Sequence, residues 1–254
     1  MKEVGNKVIE TILSHRSVRK YKDKKVDKKV IKKIVKAGQQ APFVSQLYSI
    51  LLTTKGKLPF DAALLFTICV DFNKMKKIMK KRDWKPVTND LSILLFGIQD
   101  ASYAAQNMVI AAESLGLGTC FLGMVPYKAK KIKDEYNLPD KVFPLVGLVM
   151  GYPDENFPTR PRYPINFVLF EEKYPKLDKE VIKEAMDSMD DGYLKQNYYK
   201  KLDAKIPLQN EKKDEYDYEN YSWTEHISRK WGQWYESPEK LLNQLKKCGF
   251  DLDY

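Results

Sequence analysis

A short basic cluster near the start of the chain combines side chains that bind phosphate. Residues 15–19 read His-Arg-Ser-Val-Arg, which places an imidazole, a hydroxyl and two guanidinium groups within five positions. Arginine presents a planar fork of donors that matches phosphate oxygens. Basic residues after a helix are also common on ordinary solvated surfaces. The cluster alone therefore leaves both interpretations open.

Two further segments carry polar side chains suited to a ligand. Arg160 and Arg162 flank Pro161, and proline holds such a loop in an extended form that presents both arginines at low entropic cost. Ser45 and Gln46 lie between a predicted helix and a predicted strand, where they can hydrogen-bond the polar edge of a planar heterocycle. The alternatives are that Arg160 and Arg162 are ordinary solvated residues and that Ser45 and Gln46 only contact water.

Helices and strands, which differ in the spacing of their apolar residues, must position these clusters. Apolar spacing predicts helices over residues 4–13, from Asp27 onwards, and over 90–115, 128–136, 178–199, 223–234 and 237–248. Asp27 and Ser237 are expected to cap the helices that they begin. Compact apolar runs predict strands over residues 47–53, 63–70, 119–122, 142–150 and 165–170. The polar, charge-rich residues 74–89 and 203–220 are interpreted as loops.

The long helix over residues 90–115 is expected at the centre of the fold. Its alanines permit close packing against another helix. Its polar residues Asp100, Gln106 and Asn107 need hydrogen-bond partners if they are buried. Cys120, which follows in an apolar strand, is expected to be a buried, inert thiol.

Composition excludes several classes of protein. A hydrophobic content of 43% and an aromatic content of 12% exclude a disordered chain. The longest nearly unbroken apolar run, residues 62–70, is too short to cross a membrane, and the first residues lack a signal-peptide apolar region. Three scattered cysteines and two histidines indicate neither a disulfide framework nor a metal site. A cytoplasmic protein without membrane contact is expected.

The charge is unevenly distributed. Residues 1–170 contain 29 Lys and Arg against 15 Asp and Glu, whereas residues 171–254 contain 15 against 19. The paired lysines between residues 24 and 33 lie around one predicted helix and are interpreted as its solvated face. Nucleic-acid binding is a minor alternative, because no recognition motif accompanies the charge. No nucleic-acid partner is expected.

The combined motifs resemble one family, the FMN-dependent nitroreductases. The most specific stretch is Ala-Glu-Ser-Leu-Gly-Leu-Gly-Thr-Cys at residues 112–120, which continues through Phe-Leu-Gly-Met, and residues 138–153 match as well. The Arg160-Pro161-Arg162 loop and the Trp-Thr-Glu-His-Ile-Ser-Arg segment at residues 223–229 resemble the NADPH-linked nitroreductase A and flavin reductase branch. The resemblance covers nearly the whole chain.

This resemblance implies a fold and a set of binding residues. The fold is α+β, with a central, mainly antiparallel sheet flanked by helices and a long central helix at a homodimer interface. Residues 1–170 form the FMN-binding core, and residues 171–254 form a C-terminal extension that packs on the core or on the partner subunit. The implied cofactor-binding residues are His15, Arg16, Ser17, Arg19, Ser45, Gln46, Phe121, Leu122, Gly123, Met124, Arg160 and Arg162. Ser45 and Gln46 would serve the site of the other subunit.

The implied activity is transfer of reducing equivalents from NADPH or NADH to small-molecule acceptors such as nitroaromatics and quinones, in a ping-pong cycle. The chemistry lies at flavin N5, so no catalytic side chain and no metal are expected. The chain departs from the family pattern in two places. The loop at residues 42–46 is about two residues shorter than the family's usual version, and the segment after Thr53 lacks a longer helical insertion that related enzymes have. A flavin reductase of the same fold and an FMN-binding protein with little NAD(P)H activity are the alternatives.

Overall fold

The computed structural model describes residues 5–209, 213–233 and 236–252. Within these ranges the strands are β1 (Tyr48–Thr53), β2 (Leu64–Asp71), β3 (Gly118–Leu122) and β4 (Val142–Gly151). The α-helices are α1 (Lys7–Leu13), α2 (Lys28–Gln39), α3 (Asn73–Lys81), α4 (Asp90–Ser114), α5 (Ala129–Glu135), α6 (Lys179–Lys195), α7 (Tyr198–Leu202), α8 (Trp223–Gln233) and α9 (Pro238–Lys247). They divide between two compact units, Met1–Phe157 with Ser237–Tyr254, and Pro158–Glu236.

The first unit is built on a four-stranded sheet in the order β1-β2-β4-β3. Every neighbouring pair is antiparallel, so the expected α+β architecture with a mainly antiparallel sheet is confirmed. Among the strands, the inner ones β2 and β4 supply most of the buried apolar residues, because both of their edges are paired with neighbouring strands. Strand β3 lies at one edge of this sheet, which leaves its outer side available to the N-terminal loop.

Helix α4 packs directly against this sheet, and its small residues also permit the expected close packing against another helix, which is α2. Its N-cap Asn89 accepts a hydrogen bond from the Ser92 amide at 2.8 Å, and Ala101 and Ala104 are fully buried. A Cβ atom at Gly97 would lie 2.4 Å from Val70 Cγ1, so only glycine permits the observed approach of α4 to β2. The helix is thereby fixed along its length against the strands that carry the candidate site.

The capping signals read from the sequence are also confirmed. The Asp27 carboxylate accepts a hydrogen bond from the Lys29 amide at 2.6 Å at the start of α2. At the start of α9, Ser237 Oγ accepts one from the Glu239 amide at 3.3 Å. Both caps satisfy amide groups that the first turn of a helix leaves unpaired.

The loop predicted over residues 74–89 is wrong in its first half, where helix α3 forms. The error arises because lysines dominate this segment and conceal a short apolar stripe. Met75 and Met79 lie four residues apart on one face and pack with Phe72 in a cluster that also contains Phe143. Four-residue spacing on a helix brings such side chains together.

The strand predicted over residues 165–170 is wrong as well. Ile165–Phe167 forms a single 3₁₀ turn, and Ile165, Val168 and Leu169 are exposed. A short apolar run becomes a strand only where a neighbouring strand supplies hydrogen bonds. The described part of the second unit contains no strand to pair with it.

The second unit has a small core made of aromatic residues. Met189, Tyr193, Tyr199 and Tyr221 form a buried cluster between α6, α7 and the start of α8. Tyrosine therefore takes the place of the aliphatic residues in which this segment is poor. Residues 203–209 and 213–220 contain no strand and no further helix, as the sequence predicts. The expected packing of the C-terminal extension, residues 171–254, on the core or on a partner subunit stays a prediction.

No helix in the described ranges combines the length and the apolar character needed to cross a lipid bilayer.

Candidate functional site

The basic loop at residues 15–19 lies along the free edge of β3. The Val18 amide donates to the Thr119 carbonyl at 2.8 Å, and Ser17 forms a parallel bridge with the same residue. A Cβ atom at Gly118 would lie 2.6 Å from Val18 Cγ2. Glycine at the first position of β3 is thus required for the loop to approach the strand.

A buried carboxylate joins this loop to the end of α4. His15 Nδ1 and Glu113 Oε1 are 2.7 Å apart, and Thr119 Oγ1 donates to the same oxygen at 2.9 Å. The Glu113 side chain is only 14% exposed, so it is held in place and not free in solvent. One side of the imidazole is therefore occupied by Glu113, which makes His15 an anchor of the loop.

The far end of the loop is fastened to the segment after β4. The Arg19 amide donates to Glu155 Oε1 at 2.5 Å, and the Lys22 amide donates to the Tyr152 carbonyl at 2.9 Å. The Tyr21 hydroxyl donates to the Val18 carbonyl at 2.6 Å, and burial raises the pKa of Tyr21 well above its usual range. The tyrosine therefore keeps its proton, and the loop is closed at both ends.

A cleft of about 170 Å³ opens beside this loop. Its lining includes Arg16, Ser14 at the end of α1, Gly116 and Gly118 around the α4–β3 turn, and the Glu113 carboxylate, which already accepts a hydrogen bond from Thr119. Arg16 is half-buried and forms no ion pair with any of the described residues. An unpaired guanidinium in a narrow cleft with glycines in its wall fits a phosphate group. The residues present are therefore compatible with the phosphate end of FMN.

The end of β3 presents an open surface beyond this cleft. Phe121 is 40% exposed and Met124 is 50% exposed, although both are large apolar side chains. A Cβ atom at Gly123 would meet no atom within 4 Å, while Leu122 is half-buried in the cluster around Val149. These four residues form an uncovered, partly apolar face suited to a planar ring.

The loop that carries Ser45 and Gln46 is held by a single buried carboxylate. The Asp100 oxygens accept hydrogen bonds from the amides of Val44 at 2.6 Å, Ser45 at 3.1 Å and Leu47 at 2.8 Å. Asp100 is fully buried, whereas the Ser45 and Gln46 side chains are exposed. This arrangement satisfies the expectation that a buried Asp100 needs partners, and it rigidifies the loop.

The two anchoring carboxylates lie on the same helix but far apart. Asp100 and Glu113 are 13 positions apart on α4, which corresponds to about 20 Å at 1.5 Å rise per residue. The Ser45–Gln46 loop is therefore anchored near the middle of α4, and the Arg16 cleft lies at its C-terminal end. Within one chain these two parts of the predicted site are anchored at separate places.

Arg160 and Arg162 belong to the second unit, where both make local contacts. The Arg160 guanidinium lies 4.7 Å from the centre of the Tyr198 ring, and Arg162 Nη1 donates to the Arg160 and Pro161 carbonyls at 3.1 Å. Cation–π stacking of this kind restrains the arginine side chain. Their participation in the phosphate site stays a prediction.

Sequence reasoning missed the residues that position the site. Glu113 and Glu155 were not assigned roles, although Glu113 lies inside the most specific motif of the chain. A glutamate at the end of an otherwise apolar helix was the available signal, because a buried charge needs partners. Asp100 was correctly singled out as polar, but its function in holding a loop was not foreseen.

The cysteines are unsuited to nucleophilic chemistry. Cys69, Cys120 and Cys248 are all buried. Burial raises the pKa of Cys69 to about 12 and that of Cys248 to about 11, so both remain thiols at neutral pH. Among the described residues no group of three or more His, Cys, Asp and Glu side chains is arranged to hold a metal ion.

Comparison with known proteins identifies the family. The model of the nitroreductase family matches residues 12–54 and 52–152, which is more than half of the chain. The chain belongs to the nitroreductase family. The resemblance read from the motifs is thereby confirmed, and both anchoring carboxylates, Asp100 and Glu113, lie inside the matched region.

Individual relatives agree with this assignment. The chain is 32% identical over 213 residues to a Cr(VI) reductase of a Pseudomonas species, covering 77% of this chain and 87% of the relative. It is 34% identical over 191 residues to an NAD(P)H-dependent FMN reductase of Bacillus subtilis, covering 68% and 77%. The solved structure of the hypothetical oxidoreductase YcnD from the same species superposes with a TM-score of 0.82 and 28% identity, covering 98% of this chain and all of that one.

Proposed function

We propose that this nitroreductase-family member is an FMN-dependent oxidoreductase that carries reducing equivalents from NADPH or NADH to small-molecule acceptors. The observation that carries the proposal is the half-buried, unpaired Arg16 in the cleft between the basic loop and Gly118. A cleft of this size suits a phosphate monoester, and the exposed end of β3 suits the ring attached to it. The relatives named as FMN reductases support the same cofactor.

The protein contributes binding and orientation to this reaction. Arg16 and Arg19 neutralise the phosphate, and Ser17 offers a hydroxyl beside them. Phe121 and Met124 give an apolar, open face on which donor and acceptor bind in turn, so initial-rate kinetics are of the ping-pong type. FMN, when bound, supplies the redox centre that passes hydride from the nicotinamide to the acceptor. No acid or base side chain of the chain is required.

The active unit is a homodimer with two shared sites. Helix α1 buries none of its residues, and its apolar side chains Val8, Ile9, Ile12 and Leu13 are exposed. Helix α4 exposes Leu95, Phe96 and Ile98 in the same unit. Two apolar helix faces uncovered in one chain favour association with a second copy. The 20 Å between the two carboxylate anchors favours a site whose Ser45–Gln46 loop comes from the partner.

Mixed dimers test this arrangement directly. Arg16→Ala removes the phosphate contact, and Asp100→Ala releases the Ser45–Gln46 loop. If each site takes these parts from different subunits, heterodimers of the two variants contain one site with both parts intact. We expect them to recover about half of the wild-type activity, while each homodimer is impaired. No recovery in correctly folded heterodimers contradicts the shared site.

The preferred acceptor separates two versions of the activity. A nitroreductase oxidises NADPH rapidly with nitroaromatics or quinones, whereas a flavin reductase does so best with free flavin as acceptor. Rates of NADPH and NADH oxidation with a nitroaromatic, a quinone, free FMN and chromate rank these possibilities. Chromate is included because one relative bears the name Cr(VI) reductase. If none of these acceptors raises the rate of NADPH or NADH oxidation above the rate without an acceptor, both versions are contradicted.

A binding protein with little NAD(P)H activity is the second candidate. It is favoured by the short connection between β1 and β2, which contains only the 3₁₀ turn Pro59–Asp61. It predicts that FMN binds normally but that neither nicotinamide reduces it. A cytoplasmic location is proposed from the odd number and scattered positions of the three cysteines, which fit a reducing compartment where NADPH is available.

A further inference from the structure

A second cleft in the first unit is lined by lysines and shares no residue with the Arg16 cleft. It has a volume of about 300 Å³ and lies between residues 22–25 and the β1–β2 connection. Lys22, Lys24 and Lys25 line one wall, and Lys57 lines the other. Asp23 and Asp61 are the acidic residues of the lining, so its ammonium groups outnumber its carboxylates by two to one.

The walls of this lysine cleft are held in place by the core. On one side, the Lys22 amide donates to the Tyr152 carbonyl at 2.9 Å, and the Lys24 Nζ lies 4.2 Å from the centre of the Tyr152 ring. On the other side, Leu58 and Ala62 are buried and anchor the β1–β2 connection. The backbone of both walls is therefore anchored, and the exposed side chains of Lys22, Lys25 and Lys57 extend from it.

The charges of the cleft are not compensated internally. In the described part of the chain, none of its four ammonium groups lies within 4.0 Å of a carboxylate, even though two carboxylates share the lining. The backbone of Phe60 and Asp61 adopts positive φ values of 60° and 52°. Non-glycine residues rarely hold this conformation, and such strain concentrates at functional sites.

Further lysines lie close to the cleft walls in the sequence. Five are exposed on α2, which begins three residues after Lys25, and one more is exposed on the β1–β2 turn: Lys28, Lys29, Lys32, Lys33, Lys36 and Lys55. A concave site with charge of predominantly one sign concentrates ions of the opposite sign.

We propose that the lysine cleft binds an oligophosphate group, either inorganic triphosphate or the phosphate chain of a nucleotide. Several ammonium groups in one small concavity match an anion that concentrates several charges in a small volume. Lysine interacts with a phosphate oxygen as a compact positive charge with three donors. The lining contains no aromatic residue on which a base could stack, so the phosphates are the recognised part.

Binding of inorganic triphosphate to FMN-saturated protein tests this inference, because FMN occupies the phosphate site at Arg16. We expect a single saturable site by isothermal titration calorimetry at low ionic strength. Lys25→Gln with Lys57→Gln removes one charge from each wall and weakens binding by about tenfold or more. Lys32→Gln with Lys36→Gln is the matched control, since it removes two charges from the same surface outside the cleft. Its effect should stay below about threefold.

A third variant changes affinity in the opposite direction. Asp61→Asn removes a carboxylate from the lining, and asparagine tolerates the positive φ of this position. We expect it to tighten triphosphate binding. Parallel titrations with a nucleoside triphosphate distinguish the two sources of phosphate. An affinity equal to that of inorganic triphosphate means that the cleft contacts only the phosphates, and a higher affinity identifies a nucleotide as the ligand.

Two results overturn the proposal. The first is the absence of saturable triphosphate binding to the wild-type protein with unchanged FMN content. The second is equal weakening by the cleft and control pairs, which indicates diffuse attraction to the lysine surface. Thermal unfolding of each variant confirms that the comparison is made between folded proteins.

Discussion

His15 Nδ1 lies 2.7 Å from Glu113 Oε1, although 98 positions separate the two residues in the chain. Because Thr119 Oγ1 donates to the same carboxylate oxygen, Glu113 ties together the basic loop, the end of α4 and the edge strand β3. This contact is one of several that fix the course of the loop. Arg16, the next residue, lines the cleft and forms no ion pair with any residue that the structure describes.

Replacing Arg16 is expected to weaken FMN binding without unfolding the chain. The guanidinium has no ion pair to lose among the described residues, so Arg16→Ala costs little stability. Loss of a hydrogen bond to a charged phosphate is worth about 1.5–3 kcal/mol, which corresponds to about 10- to 150-fold in Kd. Fluorescence titration of FMN measures this change. Lys20→Ala, at a neighbouring exposed position, is the control, and an equal loss there contradicts the assignment.

Glu113 is expected to affect the cofactor only through the loop that it holds. Glu113→Ala removes the acceptor of Thr119 and the partner of His15, and should lower the free energy of unfolding by about 1–3 kcal/mol while weakening FMN binding. Glu113→Gln retains an amide oxygen for Thr119 and should lose less of both. Urea unfolding and FMN titration of the two variants measure the difference. Identical behaviour of Ala and Gln variants speaks against this anchoring role.

Asp100 is expected to be more important for stability than for the phosphate site. Asp100→Ala leaves the buried Leu47 amide and the more exposed amides of Val44 and Ser45 without their acceptor, which should cost about 2–5 kcal/mol of unfolding free energy. Asp100→Asn keeps one carbonyl oxygen and should have an intermediate effect. Gln106→Ala, exposed on the same helix, should change the stability by less than about 0.5 kcal/mol. Equal stability of all three variants would show that the loop does not depend on Asp100.

The second unit contains a histidine that should make stability depend on pH. His226 stacks on Tyr199 at 4.5 Å between ring centres, and its Nδ1 lies 3.1 Å from the Tyr221 hydroxyl. Burial, assisted by the nearby positive charge of Lys230, lowers the pKa of His226 below its usual value. The unfolded chain therefore binds a proton at a higher pH than the folded one does.

The free energy of unfolding should accordingly fall as the pH drops below the unfolded histidine pKa of about 6.5. It should level off once the pH has passed the lower pKa of the folded state. Urea unfolding at several pH values between 7.5 and 5 measures this slope. His226→Gln should reduce the slope in this range, and an unchanged slope would show that another group is responsible.

The sequence predicted elements whose pattern is periodic and locally specified. Helix α4 shows apolar spacing over seven turns, and the Asp27 and Ser237 caps mark their helices because capping is a contact between near neighbours. Helix α3 was missed because only Met75 and Met79 carry its apolar face among lysines. The strand expected at residues 165–170 failed because strand formation depends on a distant partner.

The sequence indicates candidate ligand-facing residues but not the residues that support them. The roles of residues 15–19 in binding FMN follow from the resemblance to the family and stay predictions. The contacts of Glu113 with His15 and of Asp100 with the Ser45 loop join residues 98 and 55 positions apart, and a single sequence contains no direct signal for such pairs. The relation of Arg160 and Arg162 to the cleft depends on how chain segments and subunits assemble, so their roles remain predictions.

Anaerobic titration of the purified protein with NADPH and NADH tests the central claim most directly. The account predicts that the protein binds FMN and shows its visible absorption, and that stoichiometric NADPH or NADH bleaches it. Addition of a nitroaromatic or quinone should then restore the absorption. A protein that cannot be reconstituted with FMN, or whose bound FMN neither nicotinamide reduces, would contradict its assignment as an NAD(P)H-dependent FMN oxidoreductase.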